Sequence, residues 1–458
     1  MSFFQKSIAV LGLAALLVTS GCGGPTKAEL EAAKPVKLTI WRVFDTSESF
    51  DATMAAYQAL HKNVSFEYRT LRYDEYESEL LHAFAEGKGP DIFSLNSNWI
   101  GEYESLALPL PKSLSIPYTE TRGTIKKETI VTIKEEPTIT QRQLKTDYID
   151  AVADMVIRPY QPNPKLEAED RIWGLPLSVD TLALFYNKDL LNAAGIAEPP
   201  KTWTTFQEDV AKLTTIGPND TIVQSGAAIG SSTNVERAFD ILSLLMMQNG
   251  TKMTDDNGNP KFASQLEDKS VPGADATRFY SDFANPLKSV YTWNADQPSS
   301  FEAFTSGKTA MFLGYSYHIS LIKTQAPKLD FGIAVAPQIS AGRTVNYANF
   351  WIETVSKATK SSNWAWDFIQ FAAKAEQAKT YLDVTKKPTA LRSLITEQLQ
   401  DEDLSIFATQ LLTAKSWYKG DDASVAETAI LELIDGTIAG EELEVIIRNA
   451  QSKVDQTM

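Results

Sequence analysis

Residues 37–95 read KLTIWRVFDTSESFDATMAAYQALHKNVSFEYRTLRYDEYESELLHAFAEGKGPDIFSL. Apolar residues alternate at strand spacing in 38–41, 64–68 and 91–95, and between these segments they recur at helical spacing. Gly87 ends the second helical segment. This βαβαβ order predicts an α/β fold built on an open, mostly parallel sheet with helices on both faces.

The carboxyl ends of these strands are the predicted location of a ligand site, because open parallel sheets bind ligands beyond that edge. Trp41, Arg42 and Asp45 follow the first strand, and Asn98 and Trp99 follow the third. The competing interpretations are structural. Trp41 could pack under the sheet, Asp45 could cap a loop, and residues 98 and 99 could open the next helix.

The overall composition excludes several classes of protein. The 458 residues are 43% hydrophobic and 22% charged, and cores usually split beyond roughly 250–300 residues, so at least two lobes are expected. The net charge of −15 opposes binding to nucleic acid. His61, His82 and His318 are far apart and Cys22 is the only cysteine, so neither a metal nor another cofactor is expected.

The N-terminal residues resemble a secretion signal. Lys6 precedes the apolar run 8–18, which is too short to span a bilayer as a mature helix. Cys22 stands at the expected cleavage point and resembles the cysteine of a bacterial lipobox, although Thr19 replaces the usual leucine. We therefore expect a signal peptide at 1–21, lipid attachment at Cys22, and a tether at 22–36 that holds the protein outside a membrane. The alternative is an ordinary signal peptide with a chance cysteine.

The rest of the chain continues the alternation of strands and helices. Residues 111–147 are rich in Thr, Lys and Glu, which predicts a surface insertion with a hairpin around 129–133. The nearly uncharged segment 173–187 predicts a buried strand, and Thr202 is the predicted N-cap of a helix. Further helices are predicted at 234–249, 361–382 and 424–435.

Three segments carry a family resemblance. They are GKGPDIF (87–93), GLPLSVDTLALFYNKDLLNAAGI (174–196) followed by PPKTW (199–203), and FTSGKTAMFLGYS (304–316). Together they resemble the extracellular solute-binding proteins of ABC importers, of the carbohydrate-binding, maltose-binding-protein-like type. The resemblance implies a monomeric binding protein rather than an enzyme. It also implies a sugar or oligosaccharide as the solute, and permease subunits in the membrane as partners.

The resemblance also implies the organisation of the chain. It implies a type II periplasmic-binding-protein-like fold, in which two α/β lobes, each with a mostly parallel sheet, are joined by hinge strands. Crossings between lobes are implied near 178–182, 312–314 and 352–355. The lobes would then comprise 37–179 with 313–353, and 180–312 with 354–458.

A sugar site needs aromatic plates for C–H faces and carboxylates or amides for hydroxyl groups. Asp180 is a lone carboxylate in an apolar segment, which is costly to bury unless it is hydrogen-bonded, so it is predicted with Thr181 at the hinge. A structural ion pair or core packing is the competing interpretation at each candidate. The further ligand candidates near the crossings and in the second lobe are Tyr315, Tyr317, Tyr347, Asn349, Trp351, Trp293 and Trp417.

Two other functions compete. The same fold could bind a polyamine, a peptide or another polar solute, and two or more carboxylates in the cleft would favour a cation. A secreted glycan hydrolase is the second competitor, but no particular carboxylate pair stands out. The segment GYSYH (314–318) lacks the final glycine of a nucleophile elbow. The segment 255–260 fits a turn better than a calcium loop.

Overall fold

The computed structural model describes residues 26–123, 128–339 and 342–458. The predicted signal peptide, Cys22 and the first part of the tether lie outside these residues. Residues 27–33 of the predicted tether form a helix, which Thr26 and Glu29 open with a capping box. Within the described ranges, no helix has the length and apolarity needed to cross a bilayer.

The described residues contain seventeen α-helices. Their bounds are α1 Lys27–Ala33, α2 Asp51–Leu60, α3 Tyr73–Ala85, α4 Gln141–Asp147, α5 Asp150–Val156, α6 Lys188–Ala193, α7 Trp203–Leu213, α8 Ala238–Gln248, α9 Pro272–Asp282, α10 Ser300–Thr305, α11 Tyr317–Gln325, α12 Ser362–Ala372, α13 Ala375–Thr385, α14 Arg392–Gln398, α15 Ser405–Gln410, α16 Ala423–Ile438 and α17 Leu443–Asp455.

Seventeen strands accompany these helices in the described ranges. Their bounds are β1 Val36–Val43, β2 Val64–Leu71, β3 Ile92–Asn96, β4 Ala107–Leu108, β5 Ser113–Arg122, β6 Glu128–Pro137, β7 Ile157–Tyr160, β8 Glu169–Ile172, β9 Asp180–Thr181, β10 Ala183–Asn187, β11 Thr215–Ile216, β12 Ile222–Gln224, β13 Met311–Gly314, β14 Phe331–Val335, β15 Asn346–Asn349, β16 Trp351–Ser356 and β17 Ala414–Lys415.

The N-terminal segment forms the predicted βαβαβ unit. β1 lies between β2 and β3 and pairs in parallel with both. The sheet has the order β2-β1-β3-β16-β4, and β16 returns antiparallel from a distant part of the chain. Because β16 places Trp351 opposite Asn96, it carries an aromatic residue to the carboxyl end of β3.

The apolar residues divide into two cores. The first core takes residues from 36 to 179 and most of 348–414, and the second takes 182–347 together with 417–454. Residues 313–347 therefore pack in the second core and residues 354–404 chiefly against the first. The lobe bounds predicted from the sequence differ from this division, because the pairing of β16 with β3 draws the C-terminal helices α12 and α13 to the first sheet.

The chain passes between the cores at 179–182, 347–348 and 414–417. These positions coincide with β9, β15 and β17, which form one three-stranded sheet in the order β17-β15-β9. The crossing near 178–182 agrees with the expectation. Segment 312–314 lies inside the second core and 352–355 inside the first, so neither is a crossing.

The sheet of the second core differs from the expected parallel arrangement. Its order is β13-β10-β14, and β10 pairs antiparallel with both neighbours. Isolated parallel bridges, such as Ala228 to Phe312, also occur in this region. The chain on either side of β10 therefore reaches the sheet by reversal rather than through βαβ crossovers.

Several local predictions can be compared with the structure. The insertion contains a hairpin of β5 and β6, whose second strand includes 129–133, followed by α4. Thr202 caps α7 as predicted. The segment 173–187 is not one strand, because irregular backbone at 173–179 separates β8 from β9 and β10. The predicted helix 361–382 is two helices, α12 and α13, separated by Ala373 and Lys374.

Candidate functional site

Four aromatic side chains form a surface at the carboxyl edge of the first sheet, here called the aromatic wall: Phe44, Tyr73, Trp99 and Trp351. Phe44 and Tyr73 stack with ring centroids 6.0 Å apart, and Trp99 meets Trp351 edge-on at 5.2 Å. Phe44 and Tyr73 are 58% and 52% exposed. The wall therefore presents large apolar faces to solvent, which is unusual unless they bind something.

The backbone of Phe44 supports this interpretation. Its φ of 70° lies in the left-handed region, which a bulky residue rarely adopts. Tyr68 Oη and Thr70 Oγ1 both donate hydrogen bonds to the Asp45 carbonyl oxygen, at 2.9 and 3.0 Å, and so hold the loop after β1. Strain that the surroundings impose on an exposed aromatic residue points to a functional position.

Charged and polar side chains of the second core form a facing surface, here called the polar wall: Glu236, Arg237, Asp240, Tyr317 and Glu427. Arg237 precedes α8 in the left-handed region, with a φ of 66°. Its Nε and a terminal nitrogen both contact Asp240 Oδ2, at 2.7 and 2.5 Å. Tyr315 Oη donates to the same oxygen at 2.7 Å. Asp240 is thereby fixed by two partners on one oxygen.

The two walls face each other. Burial raises the pKa of the Tyr73 hydroxyl, Arg237 lowers it, and Glu427 and Asp240 raise it further. Tyr73 begins α3, which packs on the first core, whereas the other three residues lie at or on α8 and α16, which pack in the second. Burial likewise raises the pKa of Tyr317, which is nevertheless 45% exposed. We call the space between the walls the cleft.

The three-stranded sheet of β9, β15 and β17, here called the crossing sheet, forms the floor of the cleft. Asp180 on β9 lies opposite Asn349 on β15, and the Asn349 side-chain oxygen accepts from the Asn96 amide at 3.0 Å. The Asp180 carboxylate accepts from the backbone N–H and the hydroxyl of Ser316, at 2.9 and 2.6 Å. These bonds tie the start of α11 to the hinge and supply the partners that a buried carboxylate requires.

Three buried polar atoms in this region have no hydrogen-bond partner among the described residues: Asp240 Oδ1, Tyr347 Oη and Asn98 Oδ1. Asp240 and Tyr347 belong to the second core side of the cleft, and Asn98 follows β3 on the first. Buried polar atoms are nearly always hydrogen-bonded to protein, water or ligand. A bound water or the polar group of a ligand would complete the hydrogen bonding of these atoms.

Asp180 gives a pH-dependent prediction. Burial raises its pKa to about 7, against the lowering effect of the Ser316 and Thr181 hydrogen bonds. The folded protein therefore binds a proton that the unfolded chain has released, so stability from this group falls as pH rises from about 4 to about 7. We expect Asp180→Asn to remove this fall, measured as the free energy of unfolding in urea at mildly acid and mildly alkaline pH.

The control for this measurement is Asp256→Asn, because the Asp256 side chain is fully exposed (100%). That variant should show the same pH dependence as the unmodified protein. An Asp180→Asn variant whose unfolding free energy follows the unmodified protein at both pH values would contradict the assignment.

The structure gathers some of the predicted site residues at the cleft. Trp99 and Trp351 form part of the aromatic wall, and Tyr317 part of the polar wall. The others that border the cleft lie beneath these surfaces or in the crossing sheet: Asn98, Asp180, Tyr315, Tyr347 and Asn349. Thr181 is fully buried and accepts from the Gln410 amide at 3.0 Å, so it supports the hinge from inside.

Arg42 and Asp45 differ from the prediction. Arg42 is 4% exposed and pairs with Glu353 at 2.9 Å, and Asp45 pairs with Lys387 at 2.7 Å. Arg42 and Lys387 hold the pKa of Asp45 below its usual value even though burial alone would raise it. Both charged groups are therefore paired inside the protein with other side chains. Trp41 is half-buried beneath the Arg69 guanidinium, 4.6 Å from the ring centroid.

Trp293 and Trp417 were also predicted as ligand contacts, and both are buried in the structure. Trp293 is fully buried in the second core and donates to the Asn234 side-chain oxygen at 2.8 Å. Trp417 is 4% exposed and donates to Ser243 Oγ at 3.0 Å. Because both rings lie inside the second core, neither offers a face to a solute.

Several residues of the cleft were not predicted. Phe44 stands between two predicted residues, and Tyr73 follows β2, so the carboxyl-end rule could have included both. Arg237, Asp240 and Glu427 have no local sequence signal, because only the tertiary fold brings α8 and α16 to face the first sheet. A separate open groove of about 670 Å³, lined in part by Thr138, Tyr148 and Arg392, lies on the first core and includes no residue of either wall.

Two cores, three crossings in one sheet and a cleft between an aromatic and a polar wall define a two-lobed solute-binding protein with the type II periplasmic-binding fold. The chain belongs to the family of bacterial extracellular solute-binding proteins, whose family model matches residues 45–379. Within the described residues, no cluster of side chains suited to a metal ion occurs.

The relatives found by sequence are binding proteins. The galactooligosaccharide-binding protein of Bacillus subtilis is 21% identical, covering 85% of this chain and 81% of its own length. The diacetylchitobiose-binding protein of Streptomyces coelicolor is 22% identical over 74% and 71%. The sugar-binding protein MalE of Xanthomonas citri has the same fold, with a TM-score of 0.69, 17% identity, and coverage of 92% and 97%.

Proposed function

We propose that this protein captures a sugar or oligosaccharide in the cleft and delivers it to an ABC importer. The observation that carries the proposal is the opposition of the two walls across the crossing sheet. Aromatic faces suit the C–H faces of sugar rings, and carboxylates with a guanidinium suit rings of hydroxyl groups. The sugars bound by the relatives in sequence and fold support the same class of solute.

The proposed ligand contacts come from both sides of the crossings. From the first lobe they are Phe44, Tyr73, Asn98, Trp99 and Trp351, and from the second they are Arg237, Tyr317 and Glu427, with the buried Asp240 and Tyr347 supporting them from behind. Asp180 and Asn349 support the floor. Because contacts to both walls exist only when the lobes close, a bound solute shifts the open–closed equilibrium toward the closed state.

The lobes are proposed to follow the two cores. The first lobe would comprise 37–179 with 348–414, and the second 182–347 with 417–458. Apart from Ile406 and Phe407, which pack in the second core, this division keeps each core within one rigid body, and all three connections then fall in the sheet of β9, β15 and β17. The short strands β9, β15 and β17 would then absorb the backbone rotation of closure.

The cellular arrangement is a further part of the proposal. Lipid attachment at Cys22 would hold the protein at the outer face of a membrane, where the permease subunits of the importer receive the solute from a closed monomer. Family membership supports the extracellular location. The proposed role is binding and delivery without chemical change of the solute, and the binding proteins among its relatives support this.

Isothermal titration calorimetry against mono- and oligosaccharides tests the function. We expect at least one saccharide to bind with a 1:1 stoichiometry and to raise the melting temperature, because a ligand that binds only the folded state stabilises it. A binding-defective control is the cleft variant Trp351→Ala. Absence of heat and of any thermal shift across the panel would rule out the carbohydrate assignment.

A further inference from the structure

The hairpin of β5 and β6 contributes none of the proposed sugar contacts, although it is attached closely to the first lobe. Leu114 on β5 packs in the first core, and the Asn363 side-chain amide donates to the Ser115 carbonyl oxygen at 3.2 Å. The Tyr118 ring meets His61 edge-on, with ring centroids 5.5 Å apart. Because His61 lies between the end of α2 and the start of β2, these contacts place the hairpin beside the amino edge of the first sheet.

The helix α1, which belongs to the predicted tether, packs on this hairpin. Cα atoms of α1 lie within 8 Å of Cα atoms in both β5 and β6. At the end of α1, the Asn63 side-chain amide donates to the Lys34 carbonyl oxygen at 3.0 Å, and Val36 then starts β1. The helix is therefore held at the amino edge of the sheet by the hairpin along its length and by the turn before β2 at its end.

One side of α1 is turned toward the hairpin. The half-buried residues of the helix fall within a single arc: Ala28, Glu29, Glu31 and Ala32. Ala28 and Ala32 are one turn apart at the centre of this arc, and their small side chains allow the helix to approach the strands closely. Leu30 lies on the opposite side and is 54% exposed. The side of α1 that carries Leu30 is therefore free to meet another surface.

A helix as short as α1 depends on the hairpin for its stability. It has seven residues, whereas an isolated helix in water needs roughly 12–15 residues to be even marginally stable. The capping box of Thr26 and Glu29 and the exposed pair of Glu31 with Lys34 favour the helix locally, but neither supplies a packing surface. Without the hairpin, we expect α1 to unfold into an extended tether.

The short distance along the chain from Cys22 to α1 limits how far the docked helix can lie from a membrane. Cys22 is four residues before Thr26, so acyl chains on Cys22 would keep Thr26 within about 14 Å of the lipid surface. With α1 unfolded, the first fixed residue would be Val36, fourteen residues after Cys22, and the reach would increase to about 50 Å. Docking of α1 therefore decides whether the first lobe is held at the membrane or tethered loosely to it.

We propose that the hairpin is the docking site of the tether helix, and that the docked helix holds the amino edge of the first lobe against the lipid surface. This inference rests on the proposed lipid attachment at Cys22 and adds to it a role for the insertion and an orientation of the lobe. β1 is eight residues long, so the aromatic wall at its carboxyl end lies about 25 Å from that edge. The cleft is then at the end of the lobe farther from the anchor.

Hydrogen exchange of the lipidated protein in lipid vesicles tests the docking. We expect the amides of α1 to exchange at least about tenfold more slowly than in an unstructured peptide of the same sequence. Ala32→Glu should remove this protection, because it places a charged group at the centre of the packed face while keeping a good helix former. The matched control is Ala33→Glu, the same change at the neighbouring exposed residue, which should keep the protection. Both variants should bind saccharides as the unmodified protein does.

Fluorescence quenching by lipids with a nitroxide on the headgroup tests the orientation. Cys22 is the only cysteine, so once it is acylated an introduced cysteine is the single thiol available for a dye. Lys62→Cys places the dye at the amino edge of the first sheet, and Glu48→Cys places it after β1 at the carboxyl edge, both at exposed residues. The dye at the amino edge should lose most of its fluorescence and the dye at the carboxyl edge should keep it. Ala32→Glu should remove most of this difference.

The outcomes separate the docking, the orientation and the functions beneath them. Unprotected α1 amides in the unmodified protein, or protection that Ala32→Glu leaves unchanged, would overturn the docking. Equal quenching of the two dyes would overturn the orientation. A protein whose mass shows no acyl group at Cys22 would overturn the lipid attachment and, with it, the contact with the membrane. Saccharide calorimetry needs no anchor, so it tests the sugar-binding function separately.

Discussion

Glu353→Ala is expected to lower the free energy of unfolding by about 3–5 kcal/mol, because it leaves the buried Arg42 guanidinium without its closest partner. Arg42 Nε lies 2.9 Å from Glu353 Oε1, and both side chains are at most 6% exposed. Ser94 Oγ, which donates to Glu353 Oε2 at 3.0 Å, also loses its acceptor. Urea unfolding monitored by tryptophan fluorescence measures the change.

Two further variants define what this result means. Glu198→Ala breaks an exposed pair with Lys201, at 2.7 Å with both side chains more than 70% exposed, and should leave the free energy of unfolding nearly unchanged. Replacing both Arg42 and Glu353 with methionine should recover most of the loss, since a buried ion pair is often no more stabilising than apolar residues of similar size. A loss below 1 kcal/mol in Glu353→Ala would show that Arg42 is not held in this way.

Trp99→Ala and Trp351→Ala are each expected to weaken sugar binding by about thirtyfold or more, the effect of removing a central aromatic contact at an interface. The ring centroids of Trp99 and Trp351 are 5.2 Å apart, and both rings are partly buried within the aromatic wall. Either substitution therefore removes one aromatic face and also the packing contact that holds the other ring in place. Calorimetry with whichever saccharide binds the unmodified protein measures the change.

The control is Trp364→Ala, because this tryptophan is also half-buried but packs edge-on against His61, 5.1 Å away, on another part of the first core. It should leave the affinity unchanged within about twofold, as expected for a site without shared contacts. Circular dichroism and melting temperature establish that each variant is folded. Unchanged sugar affinity in both cleft variants would remove the aromatic wall from the binding site.

The same buried network anchors the loop that follows β1. Asp45 connects Arg42 to Lys387, and Tyr381 donates to Asp45 Oδ2 at 2.7 Å. Phe44, the exposed member of the aromatic wall, precedes Asp45 directly. A loop anchored by ion pairs on its buried side can hold an aromatic ring in a strained conformation on its exposed side.

The local features of the chain were predictable because their causes are local. Periodicity in 37–95 predicted the parallel βαβαβ unit, which the pairing of β1 with β2 and β3 confirms. Thr202 predicted the start of α7. Asp180 marked the first crossing, since an isolated carboxylate in an apolar segment needs partners that only a special position supplies.

Features that depend on distant parts of the chain became visible only in the tertiary structure. Nothing near Arg42 in the sequence shows that Glu353, more than three hundred residues away, neutralises it. Likewise, Trp293 and Trp417 looked like candidates because an aromatic residue suits both a core and a sugar site, and only packing shows that the second core encloses them.

The sequence by itself therefore determined the fold class, the family and one passage of the chain between the two cores, because strand and helix periods and short motifs are written in neighbouring residues. The tertiary structure alone decided the composition of the cleft. Phe44, Arg237, Asp240 and Glu427 come from segments far apart in the chain, and their shared position depends on which core each segment packs against. Which core a segment packs against depends on the free energy of the whole folded molecule, and a local sequence pattern does not contain that information.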